Sequence, residues 1–380
     1  MLKRKFTSIL IVMLMLCSFS VSVFSAEFNG TLECKSAIIM EASTGRVLYE
    51  KNADEALPPA SVTKIMTLLL VMEAVDIGRI KLSDMVSVSE NAASMGGSQV
   101  YLKVGEEMSV EEMIKCVVIA SANDCAVALA EFISGSEESF VSEMNARAKE
   151  LGMNNTNFEN TNGLDDTVTN HVTSARDIAI MSKELLKHEV ILKYSSTWMD
   201  TIRDGSFGLT NTNRLIRYYT GANGLKTGST SKAGFCISAT AKRDGMQLIA
   251  VIMAAPTRDV RNNEAKQLLD FGFANYGVYN MPNGETEPIT VKGGVTDTCK
   301  LEYGEINLVL EKEKISKLTQ RFELPENVKA PIRKNDVIGR VVLECGGEEI
   351  TSTDIHAAEN IDKIGFFGLF GRILSNFCLG

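Results

Sequence analysis

Apolar positions along this chain fall into blocks of different period. Ile9 to Cys17 (ILIVMLMLC) is an unbroken but short run. Residues 34–50 (CKSAIIMEASTGRVLYE) read as a strand, a Ser-Thr-Gly turn and a second strand. After the break at Pro58-Pro59-Ala60, residues 61–75 (SVTKIMTLLLVMEAV) are apolar on nearly every face. That predicts a helix starting at Ser61 and buried on most sides. Residues 109–133 hold two helical runs separated by Ser121-Ala122-Asn123. Ser and Asn favour caps and turns over helix interiors, so the helix is expected to break there. Further helices are expected over 139–150, 174–187 and 261–276.

The period changes over residues 223–255, which read as strand, Gly-rich bend, strand, Arg-Asp-Gly turn and strand. Strands thus stand at both chain ends of one unit, residues 26–280. They pair most simply in one antiparallel sheet with helices on its faces, an α+β fold. Residues 281–286 (MPNGET) read as a linker, and 285–355 as a small β domain of short strands and turns. In the tail, 361–380, Phe366, Phe370, Ile373 and Phe377 recur at helical spacing beside Lys363 and Arg372. Such a helix is too short to span a bilayer and suits its interface; docking on the β domain is the competing reading.

Charge and targeting add a compartment. Lys3, Arg4 and Lys5, the apolar run, and Val23-Phe24-Ser25-Ala26 have the layout of a secretory signal over residues 1–25. Cleavage is expected after Ser25, with Ala26 as the alternative and an uncut anchor as the competitor. Cleavage takes the net charge from −9 to −12, which argues against a nucleic-acid partner. Eight Cys and three His form no metal-binding spacing. Neither a metal nor a cofactor is therefore expected. Cys116, Cys125 and Cys236 lie in apolar runs and read as small buried residues.

Three short motifs carry the candidate chemistry: Ser61-Val62-Thr63-Lys64, Ser121-Ala122-Asn123 and Lys226-Thr227-Gly228. Each alone is common; Ser61 would otherwise be an N-cap beside a solvated lysine. Positions i and i+3 share a helix face, so Ser61 and Lys64 can touch. A serine hydroxyl needs a base to take its proton. Lys64 serves only if burial and a second cation, Lys226, depress its pKa. Ser121 is expected near Lys64, relaying a proton to the leaving amine, and Asn123 to hold the substrate amide. Lys226 and Thr227 are expected on an edge strand, suited to a peptide ending in a carboxylate. Gly228 and Gly234 would let that peptide approach closely.

In this order the motifs resemble the triple shared by penicillin-binding proteins and class A β-lactamases. The wider stretches ALPPASVTKIMT, VGEEMSVEEMIKCVVIASANDCAVALAE, NGLDD followed by TSARD, and NGLKTGSTSKAGFCISATA resemble the D-alanyl-D-alanine carboxypeptidases, particularly the sporulation-type branch. The resemblance runs over about 34–280, and the later β domain and tail match that family's layout. It implies a β-lactamase/transpeptidase-like domain and acylation of Ser61 by the stem peptide of peptidoglycan, with release of the terminal D-alanine. Lys64 would be the base, and Ser121 and Asn123 would assist. Lys226, Thr227 and Arg261 would hold the carboxylate, and the N–H groups of Ser61 and Ser229 would form the oxyanion hole. β-Lactams would acylate Ser61 as well. Ser229 departs from the family, where many members carry His, and Ala122 stands where many carry Gly.

Three other readings compete. A β-lactamase would need a carboxylate to activate water, and Glu150 faintly echoes one. A sensor would bind without turnover, and an endopeptidase would cut cross-links through the same acyl-enzyme.

Overall fold

The computed structural model describes residues 26–371. The expected signal, 1–25, and the end of the tail, 372–380, lie outside the described residues.

Strands β1 (Ser36–Glu41) and β2 (Val47–Lys51) form the expected first hairpin. Strands β3 (Ala222–Thr230), β4 (Gly234–Arg243) and β5 (Met246–Ala255) form the later meander. The β4–β5 turn uses Asp244 and Gly245, both at positive φ, the backbone a tight two-residue hairpin requires. All five strands join one antiparallel sheet in the order β2-β1-β5-β4-β3. The chain's first and last strands of this unit therefore meet in mid-sheet, and β3 is left at an edge.

Every residue of β1 is buried, because both faces of the sheet are covered. Ile38 and Met40 point into a core with α1 (Lys64–Asp76), α2 (Asn123–Ser134) and α3 (Ala175–Leu186). Ala37 and Ile39 point the other way, into a core built on α4 (Arg258–Asn275). α3 is capped by Ser174, whose hydroxyl accepts the Asp177 N–H at 3.1 Å. α4 begins three residues before the expected start because Thr257 caps it, accepting the Val260 N–H at 3.1 Å.

Two sequence expectations need correction. The helix expected from Ser61 opens as a 3-10 turn, Ala60–Thr63, and becomes α-helical only at Lys64. The stretch 281–286 is not a linker. Tyr276–Met281 is a strand paired with Ile306–Glu311, and the next strand, Gly284–Lys292, starts after Pro282 and Asn283 alone. Buried Tyr276 and Met281 anchor its two ends.

Beyond it, six strands form one sheet. In spatial order they are Leu318–Glu323, Val337–Cys345, Glu348–Ala357, Thr298–Tyr303, Gly284–Lys292 and Asn327–Lys329. This β domain has its own core, including Cys299, Leu301, Val341, Leu343 and Ile355. Arg46 pairs with Glu311 at 3.0 Å and Lys312 Nζ donates to the Phe273 carbonyl at 2.7 Å, tying the two units. Residues 366–371 are helical.

Candidate active site

The Ser61 turn is held from two sides. On one, β3 lies so close that a Cβ on Gly228 would sit 2.7 Å from the Ser61 nitrogen and 2.9 Å from the Pro59 carbonyl oxygen. On the other, a Cβ on Gly163 would sit 1.9 Å from the Ala60 carbonyl oxygen, and Gly163 has φ +83°. Only glycine fits either place. Gly228 thus makes room for the protein's own nucleophile turn, and Gly234, at φ +65°, for the backbone of β5. Both spaces, expected from the sequence to admit the substrate, face the chain's own backbone.

The turn brings Ser61 and Lys64 together. Lys64 Nζ lies 2.9 Å from Ser61 Oγ, 2.6 Å from Asn123 Oδ1 and 2.7 Å from the Asn162 carbonyl oxygen. Two of these neighbours can only accept. Asn162 offers a carbonyl, and the Asn123 amide is oriented by its Nδ2 donating to the Gly96 carbonyl at 2.7 Å. A neutral Lys64 has two N–H groups and one lone pair. The two obligatory acceptors take the N–H groups, and the lone pair is left facing the Ser61 hydroxyl.

Charge favours that neutral form. Lys64 is fully buried. Burial first, and then the Lys226 charge, push its pKa well below the ordinary value, with Asp124 pulling the other way. Lys226 is pushed down to about 7 by burial and then by Arg261.

Ser121 sits at φ 63°, in the break between a π-helical segment, Cys116–Ala120, and α2. Its hydroxyl is buried, with no hydrogen-bond partner among the described residues. It faces a cavity of about 210 Å³ lined also by Ser61, Ser98, Thr212, Thr227, Gly228, Ser229, Arg258 and Arg261. Ser121 is not among the hydrogen-bonding partners of Lys64; Asn123 takes that place, and both ends of its amide are engaged by the chain. Lys226 does not line the cavity. It lies behind Thr227, donating to the Thr227 carbonyl at 2.8 Å, and acts on the site through its charge. Arg261 lines the cavity but is only 3% exposed.

Two matches with family models cover most of the chain. Residues 22–257 match the model described as D-alanyl-D-alanine carboxypeptidase, and 283–363 match the penicillin-binding protein 5 C-terminal domain. The D-alanyl-D-alanine carboxypeptidase DacF of Bacillus subtilis is 44% identical, with 98% of each chain covered. The chain belongs to the D-alanyl-D-alanine carboxypeptidase family. Among solved structures, penicillin-binding protein 5 of Haemophilus influenzae superposes with a TM-score of 0.75 at 32% identity, covering 88% of this chain and 99% of that one. Penicillin-binding protein D2 of Listeria monocytogenes, in an ampicillin-bound form, matches with a TM-score of 0.59 at 32% identity over 64% of this chain and 99% of its own.

As a member of this family, the chain carries site residues that the motifs did not mark. Asn162 supplies a backbone carbonyl, so its side chain gives no signal. His171 Nδ1 accepts the Glu159 N–H at 2.9 Å, which leaves Nε2–H to donate to Thr63 Oγ1 at 2.8 Å. Thr63 in turn donates to the Ala60 carbonyl at 2.8 Å. Burial lowers the His171 pKa to about 4, so the ring is neutral at pH 7 and braces the nucleophile turn. Ser98, whose carbonyl accepts the Asn123 N–H at 2.7 Å, adds a wall of the cavity. Glu150 does not line the cavity; it is exposed and pairs with Arg147 at 3.0 Å.

Proposed function

We propose that this chain is a serine D-Ala-D-Ala carboxypeptidase that removes the terminal D-alanine from peptidoglycan stem peptides through an acyl-enzyme on Ser61. One observation carries the mechanism: the buried Lys64 amine is held by two pure acceptors with its remaining position on the Ser61 hydroxyl. Lys64 takes the Ser61 proton as Oγ bonds to the penultimate D-alanine carbonyl carbon. The N–H groups of Ser61 and Ser229 hold the developing oxyanion. The C–N bond breaks, and the proton passes through Ser121 to the leaving D-alanine nitrogen. Water then enters, Lys64 takes its proton, and the ester opens to regenerate Ser61–OH. Thr227 and Arg261 hold the substrate carboxylate, and the edge of β3 pairs with the peptide backbone.

β-Lactams acylate the same hydroxyl in this reading, in keeping with the ampicillin-bound relative. Slow release of that adduct is expected in this reading, because the described cavity lining offers no carboxylate to activate water. Mass spectrometry after penicillin treatment tests the mechanism. An adduct on the Ser61 peptide, absent in Ser61→Ala together with D-alanine release from a stem pentapeptide, is the expected result. An adduct elsewhere, or release by Ser61→Ala, defeats it.

The enzyme is exported in this reading and rests on the outer face of the cytoplasmic membrane through its tail. No described helix is long and apolar enough to cross a membrane. Phe366, Phe367, Leu369 and Phe370 are at least half exposed, as an interfacial helix requires. Deleting 361–380 should free the protein from membranes with its soluble activity intact; a truncated form that stays bound refutes the anchor.

A further inference from the structure

We propose that Arg258 is an anion-capturing arm, drawing the substrate's terminal carboxylate into the cavity and closing over it from the solvent side. The inference rests on the carboxypeptidase reading and adds a residue to it.

The cations deeper in the site are poorly placed to make first contact. Lys226 is 1% exposed and sits behind the cavity wall. Arg261 is 3% exposed, with Nε and Nη2 donating to Asn262 Oδ1 at 3.1 and 2.9 Å. Nη1 leans toward the Cys236 carbonyl at 3.5 Å. Its remaining N–H groups form a floor that a carboxylate meets only after entering.

Arg258 differs on each point. It stands one helical turn before Arg261 on α4, and residues three apart share a helix face. It lines the same cavity and is exposed. Among the described residues, no hydrogen bond or ion pair engages its guanidinium, so nothing must be broken before it turns to a ligand.

The field of the whole molecule makes such an arm useful. The chain carries a net charge of −9, which repels an anionic peptide at long range. Among the described residues, the cavity lining holds two arginines and no carboxylate. Arg214 adds positive charge at Arg261, and Asp259 is the nearby acid acting against it. Asp259 faces a neighbouring cavity shared with Lys266. Arg258 is thus the exposed arginine of the cavity lining, and an arginine fork matches a carboxylate with two parallel donors.

The test compares Arg258→Gln and Arg258→Lys with the full-length enzyme. The readouts are D-alanine release from a stem pentapeptide and acylation of Ser61 by benzylpenicillin and by its carboxyl methyl ester. Arg258→Gln is expected to lower kcat/KM and the penicillin acylation rate about tenfold at low ionic strength, mostly through KM, with the deficit shrinking as salt rises. Arg258→Lys should recover part of the loss, and the methyl ester should react equally with both enzymes. Unchanged penicillin kinetics in Arg258→Gln, or equal losses on penicillin and its ester, overturns the inference. A wild-type enzyme that neither releases D-alanine nor labels at Ser61 overturns the carboxypeptidase reading itself, and Arg258 falls with it.

Discussion

The two domains place their charges in opposite ways. In the catalytic domain Lys64, Asp124, Lys226 and Arg261 are at most 3% exposed. Asn123 and Asn162 hold Lys64, Lys226 donates to the Thr227 carbonyl, Arg261 donates to Asn262, and Asp124 accepts the Val100 and Leu102 N–H groups. In the β domain the charged groups ring the surface: Arg321 pairs with Glu323 and Glu344, and Arg340 with Glu323 and Glu349. Burying a charge is costly unless partners and hydrogen bonds compensate. A domain that buries four of them around one serine is spending stability on chemistry. Surface pairs in high dielectric cost little and contribute little. The contrast locates function in one domain without reference to any motif.

The contrast predicts a descending series of effects. Lys64→Ala should lower Ser61 acylation by benzylpenicillin by about 10²–10⁴-fold, the range of a lost general base; acylation within a few-fold of wild type would remove Lys64 from its role. Gly163→Ala forces a Cβ to within 1.9 Å of the Ala60 carbonyl oxygen at φ +83°. It should destabilise the catalytic domain by roughly 2–4 kcal/mol and slow acylation, read by urea unfolding and penicillin labelling. Unaltered unfolding would show that the loop yields freely.

A smaller effect follows from pH. The native chain holds Lys226 at about 7 and His171 at about 4, below their unfolded values, so over that range the unfolded chain binds more protons. Stability of the catalytic domain should therefore rise with pH from about 4 to about 8. Buried Cys34, Cys125 and Cys236, whose pKa values are raised, reverse the slope above about 9. There the unfolded thiols release protons that the native ones keep. Urea midpoints across this range check the sign, and Lys226→Met should flatten the part of the rise above pH 7. Smallest of all, Arg321→Ala should leave both the β-domain melting transition and D-alanine release unchanged within error. A clear drop in that transition would mean that the surface pairs carry more than their exposure implies.

Much of this is legible in the amino-acid sequence. Strands at 34–50 and 223–255, the break at Ser121 and the helix at 174–187 follow from period and turn chemistry, which act over a few residues. The stretch 281–286 misled because Pro282 and Asn283 look like a linker while their flanks pair with strands remote in sequence. Asn123 was expected to hold substrate, and only the fold shows that its amide is spent on Lys64 and Gly96.

The sequence by itself determined the α+β class, the one-turn spacing of Ser61 and Lys64, and the motifs that imply acyl transfer, since these depend on neighbours along the chain. Only the tertiary structure decided which partners hold the Lys64 amine, that Lys226 acts from behind the cavity wall, and that Arg258 faces solvent while Arg261 does not. Those outcomes depend on burial and on contacts such as Lys64–Asn162 and Ala60–Gly163, between residues about a hundred apart. No local pattern of side chains records where a backbone carbonyl will finally point.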